Sequence, residues 1–314
     1  MQTAIAFARE HPRFVKRVQW ALILVTSVLC GWAIVDQWGK ASERLSNASP
    51  GWLVAGFAVV GVYYLVFILG WIRLLEEWGI VVRYRVALQA EMVSMLAKYL
   101  PGGVWTPAAR AVALRRSANV TQTPTVLASI LVEAALSAIS GVIVFVISLA
   151  WVHGVDAPLP ALVIFAILLS LSLHPRVFRP IAGRVLKPFG AEAIDPPPFP
   201  LALFLLVFYC GTWLVGGAAV YCLLRSLGAD VGLLAIPFLG GVSAVGAIVS
   251  VLIVFLPSGL GAREGVTYGL LLAITEPGPA LGVTLLNRLA ITLVEVALFG
   301  IGVLGWRPRR RARS

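Results

Sequence analysis

The sequence predicts an all-α membrane protein that crosses the bilayer many times. Three observations predict it. Of its 314 residues, 60% are hydrophobic and only 12% are charged, about half the charge of an ordinary soluble domain. The apolar residues gather into runs near the roughly 20 residues that a helix needs to cross. The basic residues, which give a net charge of +11, collect between those runs at 9–17, 83–85, 110–116, 176–187 and 307–313. That is the pattern of the positive-inside rule. It accounts for the charge without nucleic acid, since such tracts face anionic headgroups. Composition excludes the soluble enzyme classes.

Taken in order, residues 1–17 form a basic cytoplasmic N-terminus and residues 18–35 a first span. No small-x-small cleavage site precedes Asp36, so this is not a cleaved signal. Residues 36–50 are external, and 51–72 span inward to Arg73, Glu76, Glu77, Arg83 and Arg85. Tyr63, Tyr64, Trp52, Trp71 and Trp78 suit interfacial positions. Residues 86–100 are too short to cross comfortably and carry Glu91, Ser94 and Lys98 on one helical face. They read as a re-entrant half-helix, followed by a helix over 104–116 on the cytoplasmic side.

Residues 123–152 span outward with Ser129, Glu133, Ser137 and Ser140 on one stripe. A short span over 161–173 returns to the basic loop 174–200, which joins the two halves, 18–173 and 201–305. Residues 201–224 span outward. The stretch 232–256 contains Pro237, Gly240, Gly241 and Gly246 and is expected to bend or form a hairpin. Residues 266–275 are half a span, and 280–305 return to the basic tail 306–314, with Thr284, Arg288, Thr292 and Glu295 on one stripe. The sum is about six full spans plus two broken elements, or eight spans if the broken elements cross. Either count leaves both termini in the cytoplasm and a single transmembrane domain over 18–305.

The two breaks organise this reading. Leu100-Pro101-Gly102-Gly103-Val104-Trp105 has an echo in Leu256-Pro257-Ser258-Gly259-Leu260-Gly261, and an Ala-Arg pair follows each, ending in Arg110 and Arg263. Pro removes an amide donor and clashes with the preceding helical turn, and Gly adopts conformations other residues avoid. Backbone freed at membrane depth must lie inside protein or line a wet cavity. Paired breaks in corresponding halves point to a transport site and an inverted repeat, the first opening from the cytoplasm and the second from outside.

Charges within a bilayer are costly, at least about 2.5–3.5 kcal/mol each at its centre, and so face the bundle interior. Glu133, Arg263, Glu264, Arg288 and Glu295 are the deepest by this reading. Amides at a helix start favour an anion, and arginines bind phosphate bidentately. The candidate substrate-binding set is therefore Lys98, Arg110, Glu133, Arg263, Glu264, Arg288 and Glu295, around helix breaks at Pro101, Gly102, Gly103, Pro257, Gly259 and Gly261. The glutamates either neutralise the site, titrate with protons, or pair structurally with Arg263 or Arg288.

Lys98 to Trp105, Arg110, Glu133 and Pro257-Ser258-Gly259-Leu260-Gly261-Ala262-Arg263-Glu264-Gly265 resemble the lysylphosphatidylglycerol synthase transmembrane region family. This is the flippase-like membrane domain of bacterial multiple peptide resistance factors and stand-alone relatives. The resemblance covers roughly residues 15–305 and implies a multi-pass protein of the bacterial inner membrane. It implies movement of an anionic phospholipid, glycolipid or polyprenyl-phosphate-linked lipid between leaflets. In the fused factors a separate soluble domain transfers the aminoacyl group. The chain ends at Ser314 without one, so no aminoacyl transfer is expected of it.

The leading expectation is therefore a lipid translocase without cofactor or metal, with lipid and membrane as its partners. Cys30, Cys210, Cys222, His11, His153 and His174 form no ligand or disulfide spacing. No G-x-x-x-x-G-K-[ST] loop is present. The rival, a lipid-modifying glycosyltransferase or phosphatase, needs an acid/base or metal constellation. The Asp residues at 36, 156, 195 and 230 all fall between spans, and no Asp-x-Asp occurs. A third reading is a non-transporting partner subunit of an enzyme. Gly265 and Gly269, in G-x-x-x-G spacing, leave a homo-oligomer open.

Overall fold

The computed structural model describes residues 46–98, 105–155, 158–187, 194–253, 259 and 261–304. The expected first span, the basic tail and the break residues Pro101, Gly102, Gly103 and Pro257 lie outside the described residues.

The described residues form ten α-helices and no strand. They are α1 (Pro50–Glu77), α2 (Tyr84–Ala97), α3 (Trp105–Ala118), α4 (Thr123–Ser148) and α5 (Leu159–Ser172). After them come α6 (Pro175–Leu186), α7 (Phe199–Ser226), α8 (Ile236–Leu252), α9 (Ala262–Leu271) and α10 (Pro277–Leu304). Helices α1, α4, α7 and α10, and α8 together with the 3-10 turn Leu233–Ala235 before it, are long and apolar enough to cross a membrane. A sixth such span exists only if α5 and α6, bent by 82°, are counted as one. The polytopic all-α architecture of the sequence reading is present.

Prolines mark the starts. A Pro stands in the first two positions of α1, α4, α5, α6, α7 and α8, where its missing amide would have had no helical partner anyway. This corrects the expected bend within 232–256. Pro237 only opens α8, which then runs unbroken to Leu252. Its glycines serve contact instead. A methyl at Gly240 would strike the Trp213 carbonyl on α7, and one at Gly241 would lie 2.6 Å from the Phe145 backbone on α4. Close approach of backbones is how helices without a hydrophobic driving force pack in lipid.

The bundle has two distinct ends. At one, Trp71, Leu74, Ile80, Leu114, Phe178 and Leu186 share an apolar core, ringed by Arg83, Arg85, Arg115 and Arg116. At the other, the Ser49 amide donates to the Ser226 carbonyl at 2.8 Å, and Leu227, Val231, Leu270, Leu271 and Ala280 pack together. Helix α2 leaves the basic end, and α3 returns to it with Arg115 and Arg116 in its last turn. Helix α8 leaves the opposite end, and α9 returns there. Gly259 lies against α8, so that a methyl there would collide with Ser250. The two pairs of short helices thus start and finish at opposite ends of the bundle.

The interfacial expectation fails for two aromatics. Trp71 is fully buried and Tyr64 nearly so. Each directs its polar atom to a buried partner. The Trp71 Nε1 donates to Ser129 Oγ at 2.8 Å, and the Tyr64 hydroxyl donates to Glu295. A ring with an interior acceptor needs no headgroup.

Candidate functional site

Two charged clusters lie inside the bundle. The first is a triad spread over the first hairpin and α4. Arg110 on α3 pairs with Glu91 on α2 and with Glu133 on α4. All three side chains are almost wholly buried. The Arg110 guanidinium lies 4.5 Å from the centre of the Trp71 ring on α1, a cation–π arrangement strengthened by exclusion of water. Breaking such a pair strands a charge in apolar surroundings. The triad therefore pins α1, α2, α3 and α4 to one another.

This placement bears on three sequence expectations. Glu133 pairs with Arg110, not with Arg263 or Arg288. Arg110 is more deeply buried than Arg288 or Glu264, so it is no headgroup residue. Glu91 was read only as part of a helical stripe, yet it supplies a third of the triad. Its signal was a carboxylate seven residues before Lys98 in an apolar segment too short to span.

The second cluster joins the halves. Lys98, just past α2, donates to Glu295 on α10, and Tyr64 on α1 donates to the same carboxylate. Glu295 is fully buried, and its Oε2 has no hydrogen-bond partner among the described residues. Nearby, Arg288 on α10 pairs with Glu264 on α9 at 3.2 Å. The other Glu264 oxygen accepts from the Gly261 amide at 2.7 Å, so this carboxylate caps its own helix. Gly261 has φ 82° and Gly259 φ 64°, a region that only Gly enters without strain. Both break glycines are thus required by backbone shape.

Arg263 stands apart. It occupies the first turn of α9, is half-buried, and has no ion-pair or hydrogen-bond partner for its side chain among the described residues. It adjoins Glu264, whose partner Arg288 lies seven residues, or two helical turns, before Glu295 on α10. Its stem packs beside Gly246 of α8. The second cluster therefore brings Lys98, Arg263 and Arg288 together with Glu264 and Glu295. Among the described residues, three cations against two carboxylates leave one positive charge, and Arg263 is the cation with no ion-pair partner.

Breaks in both hairpins, Arg263 at the start of the second short helix, and a Glu on the long helix that follows each hairpin form a combination that a family comparison can decide. The family model described as "Lysylphosphatidylglycerol synthase TM region" matches residues 18–300. The chain belongs to this family. The lysylphosphatidylglycerol synthase transmembrane match embraces both hairpins, both charged clusters and all ten described helices apart from the last residues of α10. Among curated proteins no relative is matched. The chain is thus a multi-pass membrane protein of this family.

Proposed function

We propose that the protein is a lipid translocase that moves a phosphate-bearing lipid between leaflets of the bacterial inner membrane. The observation that carries this reading is Arg263, a half-buried arginine with no side-chain partner among the described residues, next to Glu264 whose ion-pair partner is Arg288. A guanidinium inside a membrane bundle requires an anion, and its planar fork matches phosphate. The headgroup lies among Lys98, Arg263 and Arg288, while the acyl chains stay in the bilayer. The Lys98–Glu295 and Arg288–Glu264 pairs supply exchangeable partners, since a phosphate can replace either carboxylate on its cation. The opposite placement of the two pairs of short helices supports access from each side in turn. In this reading both termini are cytoplasmic, the partners are lipid and membrane, and no cofactor takes part.

Proteoliposomes carrying fluorescent phosphatidylglycerol, phosphatidylcholine or a polyprenyl phosphate test the proposal. Protein-dependent leaflet exchange of the acidic lipids is expected, and Arg263→Ala is expected to slow it at least roughly tenfold. Exchange no faster than in protein-free vesicles overturns it. A product assay with lipid and sugar nucleotide separates the enzyme reading, because a translocase returns the lipid chemically unchanged.

A further inference from the structure

Helix α6 presents three separate stripes, and transport across the bundle accounts for none of them. Phe178, Ala182 and Leu186 are buried in the core at the basic end. Val177, Ile181 and Val185, the neighbouring stripe at i, i+4 and i+8, are 38%, 48% and 52% exposed. Arg176, Arg184 and Lys187 are all exposed on the remaining face. Residues three, four or eight apart fall on one side of a helix, so each set keeps to its own face. The helix contains no acidic residue. Arg179 is engaged elsewhere, with Asp195 at 2.6 Å, which leaves the other three basic residues to the surface.

The orientation of α6 follows from its start. The residue before a proline is driven to extended backbone, and His174, ahead of Pro175, has φ −68° and ψ 135°. The chain consequently turns 82° between α5 and α6. Helix α5 is almost wholly apolar and exposes Ile164, Ile167, Leu168 and Leu171, as a helix embedded in acyl chains does. A helix at near right angles to it, at the basic end of the bundle, runs along the membrane surface.

From these stripes and this bend we infer that α6 is an interfacial helix that binds anionic phospholipids of the surrounding leaflet. The protein takes the Phe178 line. The acyl boundary takes the Ile181 line, and the lipid phosphates take Arg176, Arg184 and Lys187. Apolar insertion and charge attraction act together in such helices. The occupant is a lipid of the surface layer rather than a protein, because the apolar stripe adjoins the lipid-facing side of α5 and the charge beside it is of one sign. This site is distinct from the interior cluster at Arg263 and does not depend on transport.

The test uses the full chain in nanodiscs of mixed phosphatidylglycerol and phosphatidylcholine. Cys30, Cys210 and Cys222 are replaced by Ala, and a spin label is placed at Ile181→Cys. The label is expected to be reached by oxygen more readily than by a water-soluble nickel chelate; the reverse order overturns the inference. Bound lipid is then counted by native mass spectrometry. Neutralising Arg176, Arg184 and Lys187 to Gln is expected to lower phosphatidylglycerol retention by roughly five-fold per charge. The charge-keeping variant Arg176→Lys with Arg184→Lys retains most of it. Equal retention by the wild type and the neutralised variant overturns the inference. Because the label reads depth in a chain with its native charges, misfolding of the neutralised variant leaves the inference open to refutation.

Discussion

Lys98 donates a hydrogen bond to Glu295, a residue 197 positions away and nearly at the far end of the described chain. The contact ties the tip of the first hairpin to the last helix. Lys98 is 19% exposed and Glu295 1%, so removing the lysine leaves a buried carboxylate whose one remaining donor among the described residues is Tyr64. Lys98→Ala is expected to cost roughly 3 kcal/mol of stability, measured by unfolding in detergent. The exchange Lys98→Glu with Glu295→Lys is expected to recover part of the loss incurred by Lys98→Glu alone. A double-mutant cycle with no coupling would show that the pair holds nothing together.

Arg110 is held more tightly still. Arg110→Ala strands Glu91 and Glu133 and is expected to destabilise by roughly 3–5 kcal/mol. Arg110→Lys keeps the charge but loses the fork that reaches both carboxylates and the flat face on Trp71, and is expected to fall between the wild type and alanine. Replacing the triad together, as Glu91→Gln, Arg110→Met and Glu133→Gln, is expected to unfold later than Arg110→Ala alone. Thermal unfolding of the four proteins ranks them.

Arg263 predicts the opposite balance. No internal partner is lost when it changes, so Arg263→Ala is expected to alter stability by less than about 0.5 kcal/mol. Acidic-lipid exchange, by contrast, is expected to fall at least roughly tenfold, the scale of one charged hydrogen bond. Arg288→Ala also frees Glu264 and is expected to lose both stability and exchange. Parallel unfolding and exchange measurements on the two variants distinguish a ligand contact from a structural one.

Glycines give a test of the second hairpin. Gly259→Ala meets both a φ of 64° and the Ser250 side chain, and a loss of more than about 1–2 kcal/mol is expected. Gly265 lies within α9 with nothing near the position of an added methyl, so Gly265→Ala is expected to stabilise by about 0.5–1 kcal/mol. Equal effects of the two substitutions would mean that Gly259 neither holds a positive φ nor lies against Ser250.

The sequence made the membrane character and the hairpins legible because both arise from local chemistry, namely apolar length, Pro and Gly. It also placed Glu133 and Glu295 inside the bundle, since no carboxylate is left facing lipid. Which cation each would meet was not legible. Glu133 could have met any arginine that tertiary packing delivered, and helical spacing within one segment says nothing about the face of another. Trp71 and Tyr64 were assigned to the interface by residue type, whereas Ser129 and Glu295 hold them inside. Gly240 and Gly241 looked like a break because the same residue both loosens a backbone and lets another approach it. The functional role of Lys98, Arg263 and Arg288 rests on the transport experiments above.

The reach of the Lys98–Glu295 contact also sets an order of biogenesis. Arg110 meets Glu133 only 23 residues later, so the triad can close while the ribosome is still making the first half. The Lys98–Glu295 bond must wait until almost the whole protein has been translated. The link between the first helical hairpin and α10 is therefore made only after the final helix has inserted, whereas the triad within the first half can already be in place.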